Sequence, residues 1–377
     1  MLNKHALKIA YVFAPATIAT SAQAKYGRSN PFEDWLFKSR ELEVISFPIP
    51  PGKWANTWKI FVSLKGLIWL FFRLPFRLIK GKYSLFGVHS RDPQAIIVLL
   101  IAKFLRKPII IFDSYYMWIK DDIRASLQWP FSRLVCFKSS YLSVTSARVM
   151  NFWVSAGVPA EKIRLNHKLT SIIEPTKKTL AQAIQIKKKL GYKRIILFVG
   201  RLVKLKGLDY LIRAFSMFSG FEDLGLLIIG DGPERNRLEK LCEDLNLSNV
   251  NFINATAEIE PYFILCDILV LPSIILNIHE EWGLVVTEAM SVAKPVIVSN
   301  SVGCAYELVK NGVNGYIVPE KNVNALFKAM EKLIIDDYLR TRMGNNAKEA
   351  IANRFTYLHV IESHSTLQQE ALKRLVP

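Results

Sequence analysis

Six short apolar runs recur through the second half of the chain, at 195–199, 226–229, 250–253, 266–271, 294–298 and 316–319. Each ends at a glycine, a proline or a small polar residue. Runs this short and this continuously apolar suit strands buried on both faces of a parallel sheet. Between them lie stretches with helical spacing, at 209–218, 233–245 with Pro233 as the first helical residue, 259–265 and 322–335. Strand and helix alternating in this way predict a doubly wound parallel α/β domain. The tail, 338–375, reads as helical with breaks.

The first half repeats the theme less cleanly. Residues 8–13 read as a buried first strand and 42–47 as a weak second one. Residues 14–31 read as a loop and the start of a helix, with Gly27 and Pro31. An apolar helix is expected over 94–105, an apolar strand over 109–112 and a last short strand over 162–165. Residues 121–131 fit either a linker or an amphipathic helix, and 134–144 a helix end followed by a strand. A length of 377 residues, 51% of them hydrophobic, allows two domains of ordinary size, each with its own core. The first residues turn polar too soon for a secretory signal. No stretch reaches 18 apolar residues without a charge, so no membrane span is expected. Cys136, Cys242, Cys266 and Cys304 are scattered, without metal-ligand spacing. They fit reduced, buried thiols in a cytosolic protein, and no zinc site is expected.

Charge divides the halves. Residues 1–190 hold 30 Lys/Arg against 10 Asp/Glu, a net of +20, whereas residues 191–377 hold 20 against 22, a net of −2. A basic body calls for an anionic partner. Residues 54–82 sharpen this, because no acid occurs between Glu43 and Asp92. Trp58, Phe61, Trp69, Phe72 and Phe76 alternate there with Lys59, Lys65, Arg73, Arg77, Lys80 and Lys82. The segment fits an interfacial helix pair on anionic headgroups, or a core helix with a basic outer edge. Pro75 should kink or end a helix. Nucleic acid is not expected, since no zinc-finger or RNA-binding signature accompanies the charge.

The chemistry concentrates in the second half. Gly200-Arg201 and Lys206-Gly207 follow the strand at 195–199. An arginine fork and a lysine point charge five residues apart in a loop can converge on a diphosphate. Gly230-Asp231-Gly232-Pro233 closes the next strand and is at least a turn. Glu280 and Glu288 bracket a glycine, Gly283, expected to make a tight turn into a helix. Two carboxylates outside the carboxyl ends of the strands can grip sugar hydroxyls. The P-loop pattern is missing, and no G-x-G-x-x-G follows the first strand, which disfavours a nicotinamide dinucleotide.

Taken together, Gly200-Arg201, Lys206-Gly207, 229–233, Asp267 with Pro272-Ser273, Glu280-x₇-Glu288-Ala289-Met290, 295–297 and the Gly303, Glu307, Gly312, Gly315 series resemble the family-4 retaining glycosyltransferases with the GT-B fold. The resemblance covers roughly residues 192–335. It implies two Rossmann-like doubly wound domains facing across a cleft: a basic, acceptor-binding domain over 1–170, an interdomain segment over 171–191 and a nucleotide-sugar domain over 192–353. A tail helix, 354–377, would return to the first domain. It further implies that Arg201 and Lys206 hold the diphosphate and stabilise the leaving nucleotide. Glu288 would hold the ribose and Glu280 would face the donor sugar. Backbone amides near Gly283 and Leu284 would reach phosphate or sugar. No metal and no cofactor are expected beyond the nucleotide-sugar substrate. The reaction implied is hexosyl transfer with retention, by attack on the face from which the nucleotide leaves. The acceptor would be a saccharide or lipid-linked saccharide, in polysaccharide or lipopolysaccharide synthesis. The protein would then be cytoplasmic and peripheral on the inner face of the plasma membrane.

Several positions depart from the family pattern. Glu281-Trp282 stands where glycine and phenylalanine are usual. Cys304 replaces a second glycine and would tighten the donor-sugar pocket. The glycine-rich loop after the first strand is missing. Asp113 stands where relatives often carry a histidine near the donor sugar, so that contact falls to Asp113 or to His89. An inactive GT-B subunit that binds a membrane or a partner is the competing reading, and a phosphorylase-like enzyme of the same fold is another.

Overall fold

The computed structural model describes residues 8–13, 42–46, 68–89, 94–113, 123–166, 172–218, 220–276, 280–352 and 357–373. The expected interfacial residues Trp58, Phe61, Lys59 and Lys65, and the loop expected over 14–31, lie outside them. The chain divides into two compact units. One comprises Met1–Leu169 with Tyr357–Pro377, the other Thr170–Thr356.

The first unit is built on a six-stranded parallel sheet, β1 (Ile9–Phe13), β2 (Leu42–Ser46), β3 (Leu85–His89), β4 (Ile109–Asp113), β5 (Tyr141–Val144) and β6 (Ile163–Leu165), in the order β2-β1-β3-β4-β5-β6. Strand side chains alternate between faces, and β1 shows the consequence. Ala10 and Val12 enter the larger core, with helices α1 (Leu74–Lys80), α2 (Gln94–Phe104), α3 (Ile123–Lys138) and α4 (Ala147–Ser155). Ile9 and Tyr11 enter a smaller core on the other face, which includes Leu367 and Ala371 of the tail helix. That helix is also tied by polar contacts. Gln368 donates to the Tyr11 hydroxyl at 2.8 Å, and Arg164 donates to Glu370 at 3.0 Å.

One sequence expectation needs correction here, and one is decided. Pro75 does not break its helix. The wider π-helical turn Trp69–Arg73 runs directly into α1, so the helix continues through Pro75, which falls just after the turn where the regular α-helical ladder is already interrupted. Of the two readings of 121–131, the helix holds over the described residues: α3 runs from Ile123 through Pro130 to Lys138, and β5 follows.

The second unit is built on β7 (Arg194–Val199), β8 (Leu224–Ile229), β9 (Val250–Ile253), β10 (Ile268–Leu271), β11 (Val296–Ser299) and β12 (Gly315–Val318), all parallel, in the order β12-β11-β10-β7-β8-β9. Every residue of β8, β10 and β11 is buried. That follows from their unbroken apolar runs and from helices α5 (Lys177–Leu190), α6 (Leu208–Phe215), α7 (Arg235–Asp244), α8 (Glu260–Leu265), α9 (Leu284–Ser291), α10 (Ala305–Leu308), α11 (Val323–Ile335) and α12 (Asp337–Ala352). The tail helix, α13 (Tyr357–Lys373), belongs to the first unit. The segment expected between domains, 171–191, lies in the second unit, where α5 packs on α8. Helix α7 begins at Arg235, not at Pro233. Leu202 O accepts from Glu234 N at 3.0 Å and holds Pro233-Glu234 in a turn.

Candidate active site

The second sheet reverses its order of growth between β7 and β10. Open α/β sheets take ligands outside the carboxyl ends of the strands at such a point. The loop after β7 passes Gly200 and Arg201, makes a 3₁₀ turn at Lys204–Lys206 and ends on Gly207, which caps α6. The loop after β10 opens with Pro272-Ser273. A backbone bond joins the two loops, Ile274 N to Leu205 O at 2.8 Å. Gly207 makes this approach feasible. Its φ is +63°, and a Cβ there would stand 2.2 Å from Pro272 O. Lys206, one residue earlier, is thereby delivered beside the β10 loop.

Glu280 arrives from the other side. Its carbonyl accepts from Gly303 N at 2.9 Å, and Cys304 N donates to Trp282 O at 3.0 Å. Residues 280–282 therefore lie against 302–304, with Glu280 and Val302 forming a parallel bridge. Trp282 is buried in the core. Gly283 then turns the chain at φ +93°, with Leu271 and Val302 close to the position of a Cβ, and Leu284 opens α9. Helix N-termini carry unsatisfied amides and a partial positive charge.

These turns bring Lys206 and Glu280 together. Lys206 Nζ donates to Glu280 Oε2, and Ser273 Oγ donates to the same oxygen at 3.3 Å. The two side chains are only 12% and 15% exposed, so the pair is poorly screened by water. Arg201 stands exposed after β7, and its guanidinium has no ion pair or hydrogen bond among the described residues. Glu288, on α9, is 5% exposed. Cys304 lies beneath the turn, its Sγ 4.0 Å from Gly283 O. Burial, then the charges of Glu307 and Glu280, push its thiol well above the ordinary range. It is therefore a neutral packing group whose influence on a ligand passes through the Gly283 turn.

His89 and Asp113 belong to the first unit. They end the adjacent strands β3 and β4, where His89 pairs in register with Phe112. Asp113 is buried, and its Oδ2 accepts from Trp153 Nε1 at 2.6 Å. Trp153 stacks in turn on Trp129. The expectation that Asp113 takes a sugar hydroxyl meets an oxygen already engaged in packing. The His89 side chain is outside the described residues.

Three residues were not anticipated. Ser273 orients the Glu280 carboxylate. Ser299 Oγ donates to Ser273 O, and Glu320 accepts from Ile275 N, so both pin the loop that carries Ser273. The Pro-Ser pair closing β10 was visible in the sequence, but nothing there marks Ser273 as a partner of Glu280, seven residues on.

Residues 181–350 match the family described as glycosyl transferases group 1. Over those 170 of 377 residues the chain is similar to the group 1 glycosyl transferases. Among its relatives, the capsular polysaccharide biosynthesis glycosyltransferase CapM of Staphylococcus aureus is 27% identical over 342 residues, 83% of each chain. The lipopolysaccharide core biosynthesis glycosyltransferase LpsE of Rhizobium meliloti is 29% identical over 46% of this chain and 49% of its own. The chain spans about half the length of several curated relatives it matches, 46%, 52% and 49% of three of them. The crystal structure of Anabaena Alr3699/HepE in complex with UDP superposes with a TM-score of 0.75 at 17% identity, covering 97% of this chain and 100% of that one. The fold is GT-B, with its two parallel-sheet α/β units.

Proposed function

We propose that this chain transfers a hexosyl group from a nucleoside-diphosphate sugar to a saccharide or lipid-linked saccharide, in the assembly of a cell-surface polysaccharide or lipopolysaccharide. The similarity of residues 181–350 to the group 1 glycosyl transferases supports the reaction class. CapM and LpsE, named for capsule and lipopolysaccharide synthesis, support the setting. HepE, crystallised with UDP, supports a nucleotide donor.

The observation that carries the reading is the Lys206–Glu280 pair at the switch point of the second sheet. Each partner holds the other in place. A diphosphate carries more charge than one carboxylate, so the donor draws Lys206 and the exposed Arg201 onto its phosphates. The amides at Gly283 and Leu284 add donors. Glu280, released from Lys206, then accepts from hydroxyls of the sugar, while Glu288 serves the ribose.

In the reaction, the bond between the anomeric carbon and the phosphate oxygen breaks. The acceptor oxygen forms the new bond on the same face, and the acceptor's proton passes to the departing phosphate oxygen. Lys206 and Arg201 stabilise the negative charge that develops there, a role often worth about 3 kcal/mol per group. The two cations supply this charge without a metal, so turnover should survive a chelator. A cytoplasmic protein peripheral to the membrane would meet a lipid-linked acceptor. No described helix is long and apolar enough to cross a membrane.

The test is transfer from a panel of nucleotide sugars by the wild type and Glu280→Gln. The variant should lose about 10²-fold or more in kcat while keeping nucleotide affinity. Wild-type turnover in the variant removes Glu280 from the mechanism.

A further inference from the structure

The outer surface of the first unit's helix layer is apolar where a helix facing water alone would be polar. The connections β2→β3, β3→β4, β4→β5 and β5→β6 all step in one direction across the sheet. The right-handed crossover rule puts their helices on one side, and α1 touches α2 as α2 touches α3. Leu74, Leu78, Val98, Ala102 and Val135 turn inward to the core. On the outward side, Phe104 is 79% exposed, Phe72 71% and Phe76 64%, with Phe71, Leu100 and Phe131 also exposed. Exposed apolar groups gathered over three neighbouring helices mark an interaction surface.

The charge on the same surface says what covers it. Asp92 is the only acid in residues 68–112, and residues 123–138 contain none. Arg73, Lys80, Lys103, Arg106, Lys107 and Lys138 are all exposed. Cations sit beside the rings: Lys80 Nζ lies 5.1 Å from the Phe76 ring centroid and Lys138 Nζ 5.6 Å from that of Phe137. A second copy would bring the same cations face to face. The chain's own segment 47–67 has Lys53, Lys59 and Lys65 and no acid, so it is no complement either.

We propose that the outer face of α1, α2 and α3, with the turn before α1, docks on an anionic lipid bilayer. The phenylalanines enter the acyl boundary and the lysines and arginines meet the headgroups. The inference rests on the reading that the acceptor is borne by a membrane, and it names the face and the lipid charge that the face selects.

The experiment is co-sedimentation of the full chain with phosphatidylcholine vesicles, with and without phosphatidylglycerol. The variants are the double substitutions Phe72→Ser/Phe104→Ser and Lys103→Glu/Lys107→Glu. The wild type should bind only the anionic vesicles. Each variant should lose about tenfold or more in partitioning and keep wild-type stabilisation by nucleotide sugars. Equal binding to both vesicles, no binding, or undiminished binding by the Phe→Ser variant overturns the proposal. So does a dimer that the Phe→Ser variant dissolves, since a second copy then covers the face. Vesicle binding without sugar transfer contradicts the transferase reading and leaves the docking face standing. Transfer to a soluble acceptor without vesicle binding does the reverse.

Discussion

Both units are six-stranded parallel sheets wrapped in helices, yet they differ in where their distinctive residues lie. The second unit places them in turns at the sheet's switch point, where backbone meets backbone and a lysine is pressed against a glutamate. The first places them on the outer face of a helix layer and along a tail helix that seals the other side of its sheet. Chemistry built into close-packed turns tolerates no added atom. A surface built from exposed rings and charges tolerates many. Substitutions should therefore act unequally on the two units.

The strongest contrast is Gly207→Ala. The position has φ +63°, and the new Cβ would meet Pro272 O at 2.2 Å. Strain and clash together should destabilise the second unit by about 3 kcal/mol or more. Hydrogen exchange should rise in β7 and β10 and stay unchanged in β1 and β3. Equal loosening of both sheets would break the comparison.

The first unit has its own sensitivity, to pH. His364 of the tail helix is buried, stacks on Phe112, and is held by burial down to about 4, from an ordinary 6.5. The unfolded chain takes up this proton more readily than the native one. Stability is therefore complete above pH 6.5 and falls as pH drops toward 4, by about 3 kcal/mol at most. His364→Phe should flatten the tail helix's exchange protection over that range and leave the second unit's profile unchanged.

The smallest effect expected is that of Gln368→Ala. It removes the bond to Tyr11, whose hydroxyl is pushed up to about 12 by burial, a rise the Gln368 bond partly offsets. The loss should be about 1 kcal/mol, read as a lower denaturant midpoint for the first unit alone. A larger loss would mean that the tail helix governs the first unit more than its own sheet does.

Legibility in the sequence followed the same division. The strands of the second unit could be read because unbroken apolar runs such as 195–199 are closed by glycines. The first sheet was readable where β4 is fully apolar and weakest at β2. Two prolines misled: the helix continues through Pro75 after a π-helical turn, and Pro233 is held in a turn by Leu202. Lys206 and Glu280 were each legible as candidates, but their contact spans 74 residues and no local spacing encodes it. Ser273 was legible as a strand-closing residue, but its bond to Glu280 depends on the path of the loop between them. The exposed face of α2 and α3 was hidden because Leu100, Phe104 and Phe131 resemble core residues until the sheet assigns an inside.

Nucleotide-sugar binding by the wild type, Lys206→Ala and Glu280→Gln, measured by titration calorimetry, tests the central claim most directly. If the donor's phosphates take Lys206 from Glu280, Lys206→Ala should weaken the nucleoside diphosphate by about 10²-fold. Glu280→Gln, which frees the lysine in advance, should bind it at least as tightly as the wild type. Undiminished affinity in Lys206→Ala, or affinity lost in Glu280→Gln, would contradict the claim.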